Sequence, residues 1–164
     1  MISIRFPYGD AVFMRELHTE TEIDAAPEAV WRVLTDFPSF YEWNPFITSI
    51  AGQPEEGARL SVRIEPPGGR AMTFKPTVIV AEPARELRWL GRLIIPGVMD
   101  GEHIFIIEPM TENRVRFVQH EKFTGILVPV ILPSIATGTE QGFRAMNEAL
   151  RIRVQQPPLD FKKE

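Results

Sequence analysis

The chain has 164 residues, of which 44% are hydrophobic, and a net charge of −4 from 18 basic and 22 acidic residues. This length suits one domain with a substantial core, and without a basic excess we expect no nucleic-acid partner. With no cysteine, a disulfide scaffold, a thiol nucleophile and a thiolate metal site are excluded. The start of the chain lacks a signal-peptide layout, and the longest apolar run, residues 126–135, is too short to span a membrane. We therefore expect a cytoplasmic protein without stable membrane insertion.

The first predicted elements are a strand and two short helices. Residues 17–24 alternate and are rich in threonine, which favours a strand. Apolar residues with helical spacing over residues 27–34 predict the first helix. Asp36 is a candidate N-cap for a second helix, which ends at Trp43 because the next residue precedes a proline. Residues 1–16 either extend the first strand or cover a pocket mouth.

Alternating segments without intervening helices follow, and they predict an antiparallel sheet. In residues 58–66, Leu60, Val62 and Ile64 share one face and charged residues share the other. A Pro-Gly turn separates this strand from the next. Four further strands are predicted, and the last two form a hairpin: residues 72–82, 85–93, 101–109 and 113–123.

The last predicted element is an amphipathic helix of about twenty residues, from residue 134 to 154. Its apolar face includes Phe143 and Met146, and Asn147 falls on the polar face. Thr137 and Glu140 have the spacing of a capping box, which leaves the start of the helix uncertain. The apolar segment 125–136 is interpreted as a buried connection, with an entrance flap as the alternative. Residues 157–164 are predicted to be a flexible tail.

These elements predict an α+β architecture in which a curved sheet of about seven strands wraps around the long helix. Their order and the segments APEAVW, TDFPSFYEWNPFI, LRWLG, DGEHIFIIEP, EKFTGILVP and GFRAMNEAL resemble the SRPBCC superfamily, the START and Bet v 1-like helix-grip proteins. Within it, the chain is most similar to small bacterial members described as polyketide cyclase/dehydrase-like or ligand-binding. The resemblance covers about residues 17–154, and we assign residues 17–156 to one domain. It implies a deep, largely apolar pocket between sheet and helix.

Strand alternation places three polar side chains on the otherwise apolar concave face: His103, Gln119 and Glu121. An unpaired carboxylate there is costly, so it must be paired, protonated or wet. One interpretation is structural, with the three groups bonded to each other, to backbone or to solvent. The others are functional: anchors for the polar end of a ligand, or an acid/base pair formed by His103 and Glu121.

The candidate ligand-binding residues combine these polar groups with large apolar side chains that the same face assignments point inward. The apolar candidates are Trp43, Trp89, Phe105, Phe117, Phe143 and Met146. His18, His103 and His120 lack the spacing of a metal-binding pair, so no metal is expected, and no organic cofactor is implied.

The favoured function is the binding of a small hydrophobic ligand, with transport or sequestration as its wider role. The first alternative is a cyclase/dehydratase-like enzyme that uses His103 and Glu121 as acid and base. The second is a protein-interaction module like the chaperone cofactors with a similar start, for which a filled interior is expected. The sequence also leaves open whether the protein is a homodimer.

Overall fold

The computed structural model describes residues 2–5, 11–93 and 95–156. These residues form nine strands: β1 Ile2–Arg5, β2 Ala11–Ile23, β3 Ile47–Ala51, β4 Ser61–Ile64, β5 Met72–Phe74, β6 Thr77–Glu82, β7 Glu86–Leu93, β8 Met99–Thr111 and β9 Arg114–Gly125. The same described ranges contain three α-helices: α1 Pro27–Thr35, α2 Phe40–Trp43 and α3 Val128–Gln155. A 3₁₀ turn, Phe37–Ser39, precedes α2.

The strands form an antiparallel main sheet in the order β1-β2-β9-β8-β7-β6 and a smaller sheet in the order β3-β4-β5. Backbone bonds at the edge of β6 join the two sheets: Leu60 donates to the Pro76 carbonyl at 2.9 Å, and Val78 donates to the Ala58 carbonyl at 2.9 Å. The strands therefore continue around one curved surface. This confirms the predicted α+β helix-grip architecture.

The described residues contain nine strands, against six segments named from the sequence and about seven expected. Strand β3 was not among the six segments, and two further features account for the rest. The segment 72–82, predicted as one strand, is divided between β5 and β6 on either side of Pro76, a residue with no N–H to donate to a strand ladder. At the other end of the sheet, β1 pairs with the first residues of β2. Residues 2–5 and 11–16, for which the sequence left open an extension of the first strand or a cover for a pocket mouth, thus lie in β1 and in the beginning of β2.

The two short helices lie where they were predicted, but the predicted cap is wrong. Asp36 occupies the N-cap position of the 3₁₀ turn and makes no side-chain capping bond. One side chain that does bond to the backbone in this region is that of Asn44, which follows α2. Its Oδ1 atom accepts hydrogen bonds from the backbone of Phe46 at 3.0 Å and of Ile47 at 2.9 Å. This buried side chain fixes the entry into β3.

Helix α3 begins at Val128, six residues before the predicted start. The second helical position is a proline. Proline is tolerated there because the backbone N–H groups of the first helical turn have no intrahelical partner, so no hydrogen bond is lost. The predicted capping box at Thr137 is therefore wrong, because that residue lies inside the helix. The segment 125–136 is neither a connection nor a flap: most of it forms the first turns of α3, with Pro133 inside the helix.

The core lies between the concave face of the main sheet and α3. Fully buried side chains from both elements meet there, among them Phe117 and Met146. The close approach of α3 to Phe46, the residue before β3, depends on Gly142, because a Cβ atom at this position would overlap the ring of Phe46. The predicted tail, residues 157–164, lies outside the described residues. Across the described ranges, no helix has the length and apolar character that crossing a membrane requires.

Candidate functional site

A cavity of about 200 Å³ lies between the concave face of the main sheet, the small sheet and α3. Its wall is almost entirely apolar and rich in aromatic rings. The side chains of Phe46, Trp89, Phe123 and Phe143 form part of it. Strands β3, β4 and β5 close the opposite side with Ile47, Val62, Ile64, Met72 and Phe74.

One end of this cavity reaches the surface. The lining residues there are only partly covered: Met72 is 37% exposed, and Phe74, Ile131 and Ile135 are half-buried. Arg92, at the end of β7, is exposed and also lines the cavity. We call this end the mouth. It lies between the small sheet and the first half of α3, the segment that the sequence alone suggested as a buried connection.

Three of the predicted site residues form a row across neighbouring strands. Trp89 on β7 pairs in register with His103 on β8, and His103 pairs in register with Glu121 on β9. Residues directly opposite each other point to the same face of an antiparallel sheet. All three therefore face the cavity, with the indole and imidazole ring centroids 5.4 Å apart.

A buried chain of polar contacts runs from the cavity wall to α3 and back to β2. Glu121 Oε2 lies 2.7 Å from His103 Nδ1, and His103 Nε2 lies 3.2 Å from Gln119 Oε1. Gln119 Nε2 donates to Asn147 Oδ1 at 2.7 Å, and Asn147 Nδ2 donates to Thr19 Oγ1 at 3.1 Å. Each of these five side chains thus has at least one polar partner among the others.

The backbone fixes the direction of this chain. Gln119 Nε2 also donates to the carbonyl of Phe143 at 3.4 Å, and a carbonyl can only accept. The amide nitrogen of Gln119 therefore faces α3, and its oxygen faces His103. His103 Nε2 must then carry a proton, which it donates to that oxygen.

This assignment limits the protonation states that the His103–Glu121 pair can adopt. With the Nε2 proton committed to Gln119, the 2.7 Å contact of Nδ1 with Glu121 Oε2 is favourable only when one of these two atoms carries a further proton. It belongs either to an imidazolium beside a carboxylate or to a neutral imidazole beside a carboxylic acid. In both forms the pair has no net charge, which makes its burial tolerable.

Aromatic rings hold the imidazole in place. The ring centroid of His103 lies 4.3 Å from that of Phe105 and 4.9 Å from that of Phe143. The side chain of His103 is only 7% exposed, and that of Glu121 is 12% exposed. Water is thus largely excluded from the pair, so its electrostatic interactions are stronger than they are at a surface.

The structure brings four of the nine predicted ligand-binding residues to the cavity wall: Trp89, His103, Glu121 and Phe143. Gln119 lies behind the wall, fully buried in the hydrogen-bond chain. Phe105, Phe117 and Met146 pack in the core. Trp43 is half-buried, with its ring centroid 4.9 Å from that of Phe40, and it is likewise absent from the wall.

Sequence reasoning missed two members of the polar chain. Asn147 was assigned to the polar, solvent-facing side of α3, but it is 3% exposed and bonded to Gln119. Thr19 is 2% exposed and faces the helix from β2. The alternation of β2 contained the signal for Thr19, because Thr19 pairs in register with Gln119 and shares its face.

The other two histidines lie on the outer face of the sheet. His120 Nε2 is 3.3 Å from Glu16, and the rings of His18 and His120 meet edge to face at 5.8 Å. Both rings thus lie on the opposite face of the sheet from His103. Within the described ranges, no three histidine, aspartate or glutamate side chains come together in a way that could hold a metal ion.

Solved structures share this fold at low sequence identity. A START superfamily protein from Mycobacterium smegmatis has a TM-score of 0.67 and 19% identity, covering 86% of this chain and 97% of its own. The ZhuI aromatase/cyclase from Streptomyces sp. R1128 has a TM-score of 0.70 and 17% identity, covering 87% and 94%. Norcoclaurine synthase from Thalictrum flavum has a TM-score of 0.69 and 14% identity, covering 89% and 97%. Two of these three are named as enzymes, and at such identities the likeness shows the fold alone.

Comparison of the sequence itself gives the family. The chain matches none of the curated proteins with which it was compared. The profile of one family, polyketide cyclase/dehydrase and lipid transport, matches residues 14–155. That range contains both sheets except β1 and the beginning of β2, all three helices and every member of the buried polar chain. The chain therefore belongs to the polyketide cyclase/dehydrase and lipid transport family of SRPBCC proteins.

Proposed function

We propose that the protein binds a small, largely apolar molecule in the cavity, with one polar group of that molecule held at the His103–Glu121 pair. The observation that carries this proposal is the position of the pair, which is largely buried in a wall that is almost entirely apolar. Pockets that bind small molecules commonly combine apolar surroundings with a few placed polar groups.

The size of the cavity limits the ligand. A volume of about 200 Å³ is smaller than the range of about 300–1,000 Å³ typical of drug-sized ligands. A molecule of one or two rings fits this volume. A long acyl chain requires the mouth to widen, with Met72 and Ile131 moving apart.

The first test is native mass spectrometry of freshly purified protein. We expect a co-purified small molecule, which denaturation releases. Glu121→Met should lower its occupancy, because the substitution removes both carboxylate oxygens and keeps the length of the side chain. Glu20→Met makes the same change on the outer face of β2 and should leave occupancy unchanged. If wild-type protein has only the polypeptide mass and binds no apolar probe in solution, the proposal is wrong.

A second candidate function is catalysis of the cyclase or dehydratase kind, and the 2.7 Å contact between His103 Nδ1 and Glu121 Oε2 favours it. The pair could give a proton to a bound substrate and take one back, while the cavity holds the substrate in a reactive shape. In that case Glu121→Gln and His103→Gln should abolish turnover and leave substrate affinity largely intact. For a binding protein, the same changes should weaken binding, and no turnover should occur.

The remaining expectations stay predictions. A hollow beside Trp89 supports ligand binding over the protein-interaction module, for which a filled interior was expected. We further propose transport or sequestration as the wider role, a cytoplasmic location and no nucleic-acid partner. Whether the protein forms a homodimer can be determined by sedimentation at several protein concentrations.

A further inference from the structure

The two oxygens of Glu121 have different surroundings. Oε2 faces His103 Nδ1 at 2.7 Å. Oε1 lies above Gly101 on the neighbouring strand, at the place where a side chain of residue 101 would begin: an added Cβ atom would be only 2.6 Å from it. Among the described residues, Oε1 has no hydrogen-bond partner. Since Glu121 lines the cavity, a ligand can supply one.

Gly101 is a glycine for reasons of space. Its φ angle is not positive, so the backbone conformation does not require glycine. It pairs in register with Gly91 on β7, and both line the cavity. A Cβ atom at Gly91 would have its nearest neighbours at 3.8 Å, an ordinary contact. The two glycines therefore leave a gap without side chains in the cavity wall. Of the two, only Gly101 lies where an added side chain would displace the Glu121 carboxylate.

The hydrogen-bonding role of Oε1 does not depend on where the shared proton lies. If Glu121 is ionised, Oε1 is a carboxylate oxygen; if Oε2 carries the proton, Oε1 is a carbonyl oxygen. It accepts in both forms. The imidazole offers no alternative, because both of its nitrogens are engaged. The hydroxyl of Thr139, also on the wall, donates to the Ile135 carbonyl at 2.9 Å.

We propose that the cavity selects neutral ring compounds that donate a hydrogen bond through a hydroxyl group, and that Gly101 is the residue that positions Glu121 Oε1 to receive it. This inference rests on the proposed binding function and specifies its ligand class. A carboxylate-bearing molecule of the same shape has no proton to donate to Oε1, and beside the neutral pair its charge would lie in a region of low dielectric constant without a partner. The cation of the wall, Arg92, is exposed at the mouth and does not face the pair across a dry interior. Fatty acids and aromatic acids are therefore disfavoured.

The test uses three probes of one shape with the full-length protein: β-naphthol, naphthalene and β-naphthoate. Their dissociation constants can be measured by calorimetry or by the fluorescence of the probe. We expect wild-type protein to bind β-naphthol about tenfold tighter than naphthalene, because a bond to an ionisable partner is worth about that factor. It should bind β-naphthoate at least about tenfold more weakly than β-naphthol.

Two matched variants separate the effect of displacing the Glu121 carboxylate from the effect of reducing the cavity volume. Gly101→Ala should reduce the preference for β-naphthol over naphthalene to about onefold, because the new methyl group displaces Oε1. Gly91→Ala adds the same methyl group where there is room, and should weaken all three probes by a similar factor while the preference stays. Circular dichroism checks that both variants fold. If Gly101→Ala does not fold, Glu121→Met provides the same test by removing the acceptor.

The outcomes distinguish this inference from the function on which it rests. If wild-type protein binds naphthalene as tightly as β-naphthol, or β-naphthoate as tightly as either, the selection for a donor is wrong and the binding function remains. If the preference survives in a folded Gly101→Ala or Glu121→Met variant, the assigned residues are wrong. If no probe binds and no molecule co-purifies, the binding function fails and the inference fails with it.

Discussion

The side-chain amide of Gln119 donates a hydrogen bond to Asn147 Oδ1 at 2.7 Å, which connects the middle of β9 to the middle of α3. Both side chains are buried, at 0% and 3% exposure. The contact has two effects. It holds the helix at a fixed register on the sheet, and it directs the oxygen of Gln119 toward His103. The stability of the fold and the protonation of the site thus depend on the same pair.

Asn147→Leu is expected to destabilise the protein by about 1–3 kcal/mol, because it leaves the amide of Gln119 and the hydroxyl of Thr19 buried without this partner. Urea unfolding followed by circular dichroism measures the free energy of unfolding. The double variant Gln119→Leu/Asn147→Leu should cost less than the sum of the single variants, because it removes both groups. Strict additivity would contradict the coupling.

Gly142→Ala is expected to destabilise the protein by about 1–3 kcal/mol, because the new methyl group overlaps the ring of Phe46. Gly138→Ala, one turn earlier in α3, is the control. Its Cβ atom would meet the Pro67 carbonyl at 3.4 Å, so the better helix propensity of alanine, up to about 1 kcal/mol, is available there. Thermal unfolding of both variants tests the difference; equal effects would mean that α3 does not approach β3 this closely.

Trp89 is expected to report ligand binding, and Trp43 is not. The first lines the cavity, and the second packs against Phe40 away from it. Addition of a bound probe such as naphthalene should change the tryptophan emission of wild-type protein and of Trp43→Phe. In Trp89→Phe most of this change should be lost. A signal that disappears in Trp43→Phe instead would place the ligand beside the short helices.

The stability contributed by Glu148 should depend on pH in a defined direction. The hydrogen bond from Arg151 holds the pKa of the Glu148 carboxyl below its ordinary value of 4.5. A carboxyl whose pKa is lowered on folding stabilises the protein above its unfolded pKa and loses that effect as the pH falls through the folded value. Glu148→Gln should therefore slightly lower the melting temperature at neutral pH.

The same variant should differ less from wild type as the solution is acidified below the ordinary carboxyl pKa. The effect is small because the pair is exposed and solvent screens it. Melting temperatures at a series of pH values, in low and high salt, measure it. A difference between the two proteins that grows toward acid would mean that the carboxyl pKa is raised on folding, opposite to the expected direction.

Strand alternation predicted the part of the site that lies on the main sheet. It pointed Trp89, His103 and Glu121 inward because successive side chains on a strand point to opposite faces. The register between the strands then made these residues neighbours. Alternation could not predict whether an inward-facing residue lies beside the cavity or further along the strand in the core. Phe105 and Phe117 share the same face, yet they lie in the core beyond the end of the cavity.

The helical contribution was harder to predict. Asn147 follows Met146 and precedes Glu148, so its polarity places it with the charged side of α3 in a helical projection. Its burial depends on Gln119 and Thr19, which are separated from it by 28 and 128 positions in the chain. The contribution of the small sheet to the wall was missed for a similar reason, because the sequence gives no sign of how far the curved surface closes.

The cavity wall has two sides with separate tasks. The ionisable pair comes from β8 and β9, which are joined by a hairpin and linked to α3 through Gln119. The opposite side, from β3 to β5, contributes aliphatic, methionine and aromatic side chains such as Val62, Met72 and Phe74. Exchanging these three residues can therefore reshape the cavity for a different guest molecule while the His103–Glu121 pair stays intact. The architecture separates the shape of the cavity from its polar group, and each can be redesigned or diversify on its own.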